Sequence, residues 1–171
     1  MANVNAPINK NMLSGLGFTF NLRRAPGVNF FCSQVNVPGL VGNAPQIATP
    51  FKPIFRAYDK LEYNQLSLTF KVDEDMQNYL EIFNWMVGIG FPADFEQRRV
   101  LESPQQAGLY SDGQVVIQTS KRNTNLELNF QDLIPISLSD LQLSSQNQDV
   151  DYLEATVDFR YTYYTIKRLG S

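Results

Sequence analysis

The hydrophobic pattern changes its period once, inside the stretch 64–92. From Leu66 to Val72 apolar and polar residues alternate, which is typical of a β-strand with one buried face. Apolar residues then recur at helical spacing: Met76, Tyr79, Leu80, Phe83 and Met86 or Val87. The pattern therefore predicts a strand followed by an amphipathic helix, whose residues Tyr79, Leu80 and Phe83 should face a β core.

The ends of this helix have recognisable signals. Asp73 is a suitable N-cap, and two further acids follow it where they favour the helix dipole. Gly88 and Gly90 are expected to end the helix, and Pro92 prevents its continuation. No other helix is predicted.

Two strands are predicted on the N-terminal side of this unit. They span 18–24 and 29–37, and Pro26 and Gly27 are typical of a turn between them. We expect the two strands to form a hairpin. Residues 1–16 are predicted to be an extended N-terminal arm.

The C-terminal half is predicted to be β-structure. Strands are expected at 115–119 and 126–130, joined by the turn KRNTN, with a corner at 132–135 and a short strand within 137–145. The last strand, 152–166, is long enough to require a pairing partner. One of its faces is apolar and directed to the core: Ala155, Val157, Phe159, Tyr161 and Tyr163. The other is mostly polar: Thr156, Asp158, Arg160, Thr162 and Tyr164.

The tally of about eight strands and one helix predicts a mainly β fold. We expect one domain over residues 1–171, in which two packed antiparallel sheets form a β-sandwich or barrel with one flanking α-helix. Residues 166–171 would form a short C-terminal extension.

A proline-rich arm is predicted at 38–63. Four prolines exclude a central strand there, yet the segment is rich in apolar residues. Composition leaves two readings open: the arm docks on another molecule, or it packs over its own barrel. The candidate inter-subunit contact residues are Pro50, Phe51, Ile54, Phe55 and Tyr58.

Composition favours a surface that neighbours partly cover. Charged residues are only 18% of the chain, below the usual quarter or so. The net charge of −3 argues against a nucleic-acid-binding patch. No apolar run is long enough for a transmembrane helix, and the first 15 residues show no signal-peptide pattern, so no membrane insertion is predicted.

Candidate chemistry is sparse. Histidine is absent and Cys32 is the only cysteine, which excludes an intrachain disulfide, a Cys/His zinc site and a His-dependent triad. The acids 73–75 are better explained as a helix start than as a metal or acid–base site. The tyrosines at 161, 163 and 164 are better explained as core and sheet surface than as a stacking platform. We predict no enzyme, no cofactor and no catalytic, cofactor-binding or metal residue.

Three blocks of sequence resemble the tail tube proteins of contractile-tailed, T4-like bacteriophages. They are FFCSQVNVPGL, then YNQLSLTFKVDEDMQNYLEIFNWM after the arm, then LIPISLSDLQLSSQNQDVDYLEATVDFRYTYY. Together they cover roughly two-thirds of the chain, and their order and spacing carry the specificity. The two ends of the chain match less well.

The resemblance implies a structural role. Such proteins form hexameric rings that stack into the conduit for DNA ejection, and they assemble with tail sheath, baseplate and tail terminator proteins. The arm 38–63 would then be an inter-ring loop. Thr156, Asp158, Arg160 and Thr162 would face the bore, through which viral DNA passes without specific binding. The location would be the virion tail, assembled in the host cytoplasm.

Alternatives remain open on the sequence alone. A tube-initiator, tube-terminator or baseplate-hub ring protein has the same fold. A stand-alone β-sandwich that binds carbohydrate through its tyrosines is more remote.

Overall fold

The computed structural model describes residues 11–91, 93–101, 108–144 and 152–169. Its helices are α1 (Pro26–Phe31), α2 (Gln77–Gly90) and α3 (Phe95–Leu101). The body contains the strands β1 (Phe18–Leu22), β2 (Cys32–Val35), β7 (Leu66–Lys71), β8 (Ser111–Gln118), β9 (Thr124–Leu138), β10 (Glu154–Arg160) and β11 (Tyr163–Arg168). Four short strands lie between β2 and β7: β3 (Leu40–Gly42), β4 (Gln46–Ile47), β5 (Ile54–Phe55) and β6 (Leu61–Tyr63).

The seven body strands form one antiparallel network in the order β1-β8-β9-β10-β7-β2, with β11 also paired to β9. β9 joins the two halves of this network. Its first part pairs with β8 and β11, and its last residues pair with β10. Asp132 lies between these parts with a φ of 58°, a left-handed conformation that bends the strand where the corner was predicted.

One hydrophobic core contains residues from both halves of the network. Its fully buried aromatic residues come from strands of both halves and from α2: Phe20, Phe70, Trp85, Phe130 and Phe159. The mainly β class with antiparallel strands is confirmed. No closed barrel forms within the described residues, because β1 and β2 end the network without pairing to each other. The description as a sandwich stays a prediction.

The predicted N-terminal hairpin is wrong. β1 and β2 lie at opposite ends of the network, and the turn expected between them is the start of α1. Pro26 occupies the beginning of this helix, where its missing N–H costs nothing. The Glu81 carboxylate accepts a hydrogen bond of 3.1 Å from the backbone N–H of Gly27, so a distant residue stabilises the helix start.

The predicted start of α2 is also wrong. The helix begins at Gln77, and Met76 before it has a φ of 54°. Asp73 does not cap the helix, and its Oδ1 atom is buried without a hydrogen-bond partner among the described residues. The buried Asn78 instead joins the helix to the preceding strand, since its amide donates to the carbonyl of Lys71 at 2.8 Å.

α2 presents a different face to the core than the one predicted. Ile82 and Trp85 are buried, and Tyr79 is half-buried. Leu80 and Phe83, which were expected to face the core, are 39% and 47% exposed. α2 is apolar on two sides, so helical spacing alone does not decide which side is buried.

Helix α3 was not predicted, and it explains one glycine. Gly88 does not end α2 but lies inside it, against the side chain of Leu101 from α3. A Cβ at this position would lie 2.3 Å from the Leu101 Cγ atom. The glycine therefore permits close packing of two helices. Gly90 is the last residue of α2, as predicted.

The β8–β9 hairpin is confirmed, but the long last strand is interrupted. β10 and β11 are separated at residues 161–162, and the second strand continues to Arg168. Ala155, Val157 and Phe159 are fully buried as predicted. Tyr163 is exposed and Tyr164 is half-buried instead, because the regular alternation of faces does not continue through the break.

The predictions for residues 137–145 and for the N-terminal arm have different outcomes. Of the strand expected within 137–145, only the first two residues belong to β9, and residues 139–144 have no regular structure. Residues 1–10 of the predicted N-terminal arm and residues 145–151 lie outside the described residues.

Candidate functional site: an exposed arm and its root

The segment predicted as an arm is the distal part of one long β-hairpin. β2 and β7 form its base within the sheet. Beyond the sheet, β3 pairs with β6, and β4 pairs with β5 nearer the tip. At the tip the hydroxyl of Thr49 bonds to the backbone of Lys52 and closes a tight turn.

The arm, defined here as residues 39–62, is solvent-exposed along its whole length. Only Thr49 is half-buried, and no residue of the segment is buried. Phe51 is 98% exposed, Phe55 65% and Ile54 51%. The arm therefore does not pack over its own body, and the second reading of the sequence does not apply.

All five predicted contact residues lie on the exposed arm, and Tyr58 has an additional role. Its ring lies against Gly42 on the opposite side of the hairpin. A Cβ on Gly42 would come within 2.5 Å of that ring. This close approach stabilises the hairpin between its two short ladders.

An aromatic cluster holds the root of the arm. Tyr161 lies in the break between β10 and β11, and Tyr164 lies in β11 just after it. The hydroxyl of Tyr164 donates to the carbonyl of Pro38 at 3.0 Å, and that of Tyr161 donates to the carbonyl of Asn64 at 2.8 Å. Both chain segments that lead into the arm are thus fixed to the body.

The rings of this cluster pack edge to face and tilted. The ring centroid of Tyr63 lies 5.8 Å from that of Tyr161 and 5.7 Å from that of Tyr164. Phe130 packs against the rings of Tyr161 and Tyr164. Burial, together with the neighbouring phenols of Tyr164 and Tyr63, raises the pKa of Tyr161 to about 12. The Tyr161 hydroxyl therefore stays a hydrogen-bond donor well above the usual tyrosine range.

This pKa gives a testable pH dependence. Tyr161 has a higher pKa in the folded chain than its ordinary value of 10.0, so its contribution to stability is complete below pH 10. The contribution is lost as the pH rises towards 12. We expect the difference in unfolding free energy between the wild type and a Tyr161→Phe variant to shrink across this range in urea titrations.

The control is Tyr110→Phe, because Tyr110 is 54% exposed and lies outside the aromatic cluster. This variant removes a tyrosine hydroxyl that does not bond to the carbonyls at the root of the arm. A Tyr161→Phe difference that stays constant from pH 9 to 12 would contradict the assigned role of the hydroxyl.

The predicted bore-facing residues are only partly together. Thr156, Asp158 and Arg160 share the polar face of β10, away from the core. The hydroxyl of Thr156 lies 3.1 Å from that of Thr69. The Ser67 hydroxyl donates to Asp158. Thr162 lies in the break after β10, where it donates to Asp132 at 3.0 Å.

The described residues do not form a metal site. Within them, no three His, Cys, Asp or Glu side chains come close enough to hold a metal ion. Burial raises the pKa of the Cys32 thiol to about 11, as expected for an unreactive cysteine. No helix of the described part is long and apolar enough to cross a membrane.

Sequence reasoning found the arm but missed its root. The signal available was three tyrosines within four residues at 161–164. Tyrosine combines an apolar ring with a hydroxyl that needs a partner when buried. That combination indicates packing against polar backbone, but it does not identify the carbonyls of Pro38 and Asn64.

The fold is that of chains from contractile injection machines. The cap that terminates the tube of the anti-feeding prophage matches with a TM-score of 0.62 at 9% identity, over 98% of this chain and 99% of that chain. A chain of the sheath–tube complex of the PVC extracellular contractile injection system matches with a TM-score of 0.61 at 8% identity, over 94% of both chains.

Sequence comparison assigns the family. The profile of the phage tail tube protein family matches residues 3–167, so the chain belongs to this family. The tail tube terminator protein of Enterobacteria phage T4 is 25% identical over 109 residues. That alignment covers 64% of this chain and 59% of the T4 protein, so the chain matches about three-fifths of the length of this relative.

Proposed function

We propose that this chain is a structural subunit that self-assembles into hexameric rings of a phage tail tube. The observation that carries the proposal is the arm, whose large apolar residues are all exposed in the single chain, Phe51 almost fully. Monomeric proteins rarely expose such a concentration of large apolar side chains, which usually mark an interaction site. Stacked rings would form the conduit for DNA ejection, and the subunit would act without catalysis.

A terminal ring is the second candidate. It is favoured by the similarity to the T4 tail tube terminator and by the fold shared with the anti-feeding prophage cap. A terminator ring would use the same arm but would bind one end of the tube. The sheath, the baseplate and the other rings of the virion tail are the partners implied by either role.

Negative-stain microscopy of the purified protein tests the proposal. A main-tube subunit should form rings that stack into tubes of variable length as the concentration rises. A terminator should stop at single or paired rings. A protein that stays monomeric at every concentration would contradict both candidates and favour a stand-alone binding module.

The polar face of β10 is proposed to line the bore. Glu154 and Asp158 alternate there with Lys71 of β7 and with Arg160, so the four charges cancel. Asp158→Lys would add two positive units per subunit, or about twelve per hexamer, and would attract phosphate. We expect tubes to form but DNA ejection to slow, most strongly at low salt, where charges are least screened.

Asp158→Asn is the comparison variant, since it keeps an acceptor for the hydroxyl of Ser67 and changes the charge by one unit per subunit, half the change of Asp158→Lys. Ejection is measured from virions that carry each variant. Equal ejection rates for Asp158→Lys and Asp158→Asn at every salt concentration would place this face away from the DNA.

A further inference from the structure

α2 has a second apolar face that the described residues leave partly exposed. Met76, Leu80 and Phe83 follow one another at helical spacing and are 39%, 39% and 47% exposed. The opposite side of the helix is buried against the core. An isolated surface helix normally places polar residues on its outer side, so this face is unusual.

Along α2 and the residues just before it, the charges have one sign. Residues 72–91 contain four acids and no lysine or arginine: Asp73, Glu74, Asp75 and Glu81. Glu74 and Asp75 are exposed at the N-terminal end of the face. The face therefore combines apolar side chains with an acidic margin.

The distal arm, residues 43–58, also exposes apolar side chains, and its charges have the opposite sign. Residues 43–58 contain two bases and no acid, namely Lys52 and Arg56, which alternate with the exposed Phe51 and Phe55. Neither base forms an ion pair within the described residues. Complementary charges of this kind favour one partner and one register at an interface.

The arm extends away from the body and does not pack on its own helix. The root of the arm is fixed by Tyr161 and Tyr164, and the arm is exposed along its length. At about 3.3 Å per residue, the segment from residue 39 to residue 51 extends up to about 40 Å. That reach exceeds the radius of gyration of about 15 Å expected for a chain of this size.

We propose that the outer face of α2 is the docking site for the arm of a neighbouring copy of this chain. Phe51, Ile54 and Phe55 of one copy would cover Leu80 and Phe83 of the next. Lys52 and Arg56 would pair with Glu74 and Asp75. The proposal rests on self-assembly and adds the identity of the surface that receives the arm.

Charge exchange tests the pairing. The acidic-arm variant carries Lys52→Glu and Arg56→Glu, and the basic-helix variant carries Glu74→Lys and Asp75→Lys. Each variant alone places like charges at the contact and should associate at least about tenfold more weakly than the wild type, by sedimentation velocity.

In a mixture of the two variants, only some contacts bring opposite charges together. A single chain with all four changes restores opposite charges at every contact. In that chain an acidic arm meets a basic helix at each contact, so assembly should return to within about threefold of the wild type. Failure of the combined chain to recover, while the wild type assembles, would overturn the docking proposal. Both partial variants assembling normally would overturn it as well.

Disulfide formation gives an independent measurement. In a Cys32→Ser background, a Phe55→Cys chain is mixed with a Phe83→Cys chain under mild oxidation. We expect covalent heterodimers in preference to either homodimer. Rings that form normally without this cross-link would refute the docking site but leave the proposed function intact, whereas a wild type without rings would contradict the proposed function itself.

Discussion

Replacing Phe51 and Phe55 together with serine is expected to abolish assembly while leaving the subunit folded. These rings are 98% and 65% exposed, so their removal takes little from the core of the monomer. In the assembly each buried aromatic ring would contribute about 1.5–3 kcal/mol. Each subunit of the hexamer would make this contact. The loss of two aromatic side chains per arm therefore weakens every contact of the assembly.

Sedimentation velocity and a thermal melt measure the two parts of this prediction. Phe95→Ser is the control, since Phe95 is 79% exposed but lies on α3. Phe95→Ser should leave assembly in place. That result would show that losing an exposed aromatic side chain outside the arm does not disrupt assembly. A double variant that assembles normally, or one that unfolds, would show that the arm does not act as an assembly contact.

Strand positions followed from the sequence where a single period operated over several residues. The alternation in β7 and β10 identified Leu68, Val157 and Phe159, which are all fully buried. The KRNTN turn placed the β8–β9 hairpin. In these places each residue faces either core or water, so the local pattern carries the answer.

The sequence failed where a distant residue decides the local structure. Pro26 and Gly27 are compatible with a turn or with a helix start, and the carboxylate of Glu81 favours the helix. Gly88 is compatible with a helix end, and only the neighbouring Leu101 shows that it permits helix packing. Such long-range contacts leave no short-range signal.

The candidate site could be predicted from the sequence only in part. Prolines with large apolar residues mark an arm at 38–63, because that combination suits neither a central strand nor a solvated loop. The sequence left open whether the arm packs on its own body. That question is decided by how Tyr161 and Tyr164 fix the root, which depends on contacts between residues more than 90 positions apart.

Trp85→Ala is expected to be the most destabilising single change in the helix. Its side chain is 1% exposed, and its indole N–H donates to the carbonyl of Leu109 at 2.9 Å. The guanidinium of Arg24 stacks on the indole at 5.0 Å from the ring centroid. Removal leaves a cavity and a carbonyl without its partner, and a cost of about 3–5 kcal/mol is typical of such truncations.

Phe83→Ala tests the outer face of α2, two residues away from Trp85. A comparison of the two variants shows which side of the helix stabilises the monomer. Because Phe83 is 47% exposed in the single chain, its loss should cost the monomer no more than about 1 kcal/mol. Urea unfolding of monomers at low concentration compares the two variants. Equal costs, or a larger cost for Phe83, would mean that α2 packs on the core through the face that helical spacing first suggested. A large cost for Trp85 alone keeps the Phe83 side available to a neighbouring copy.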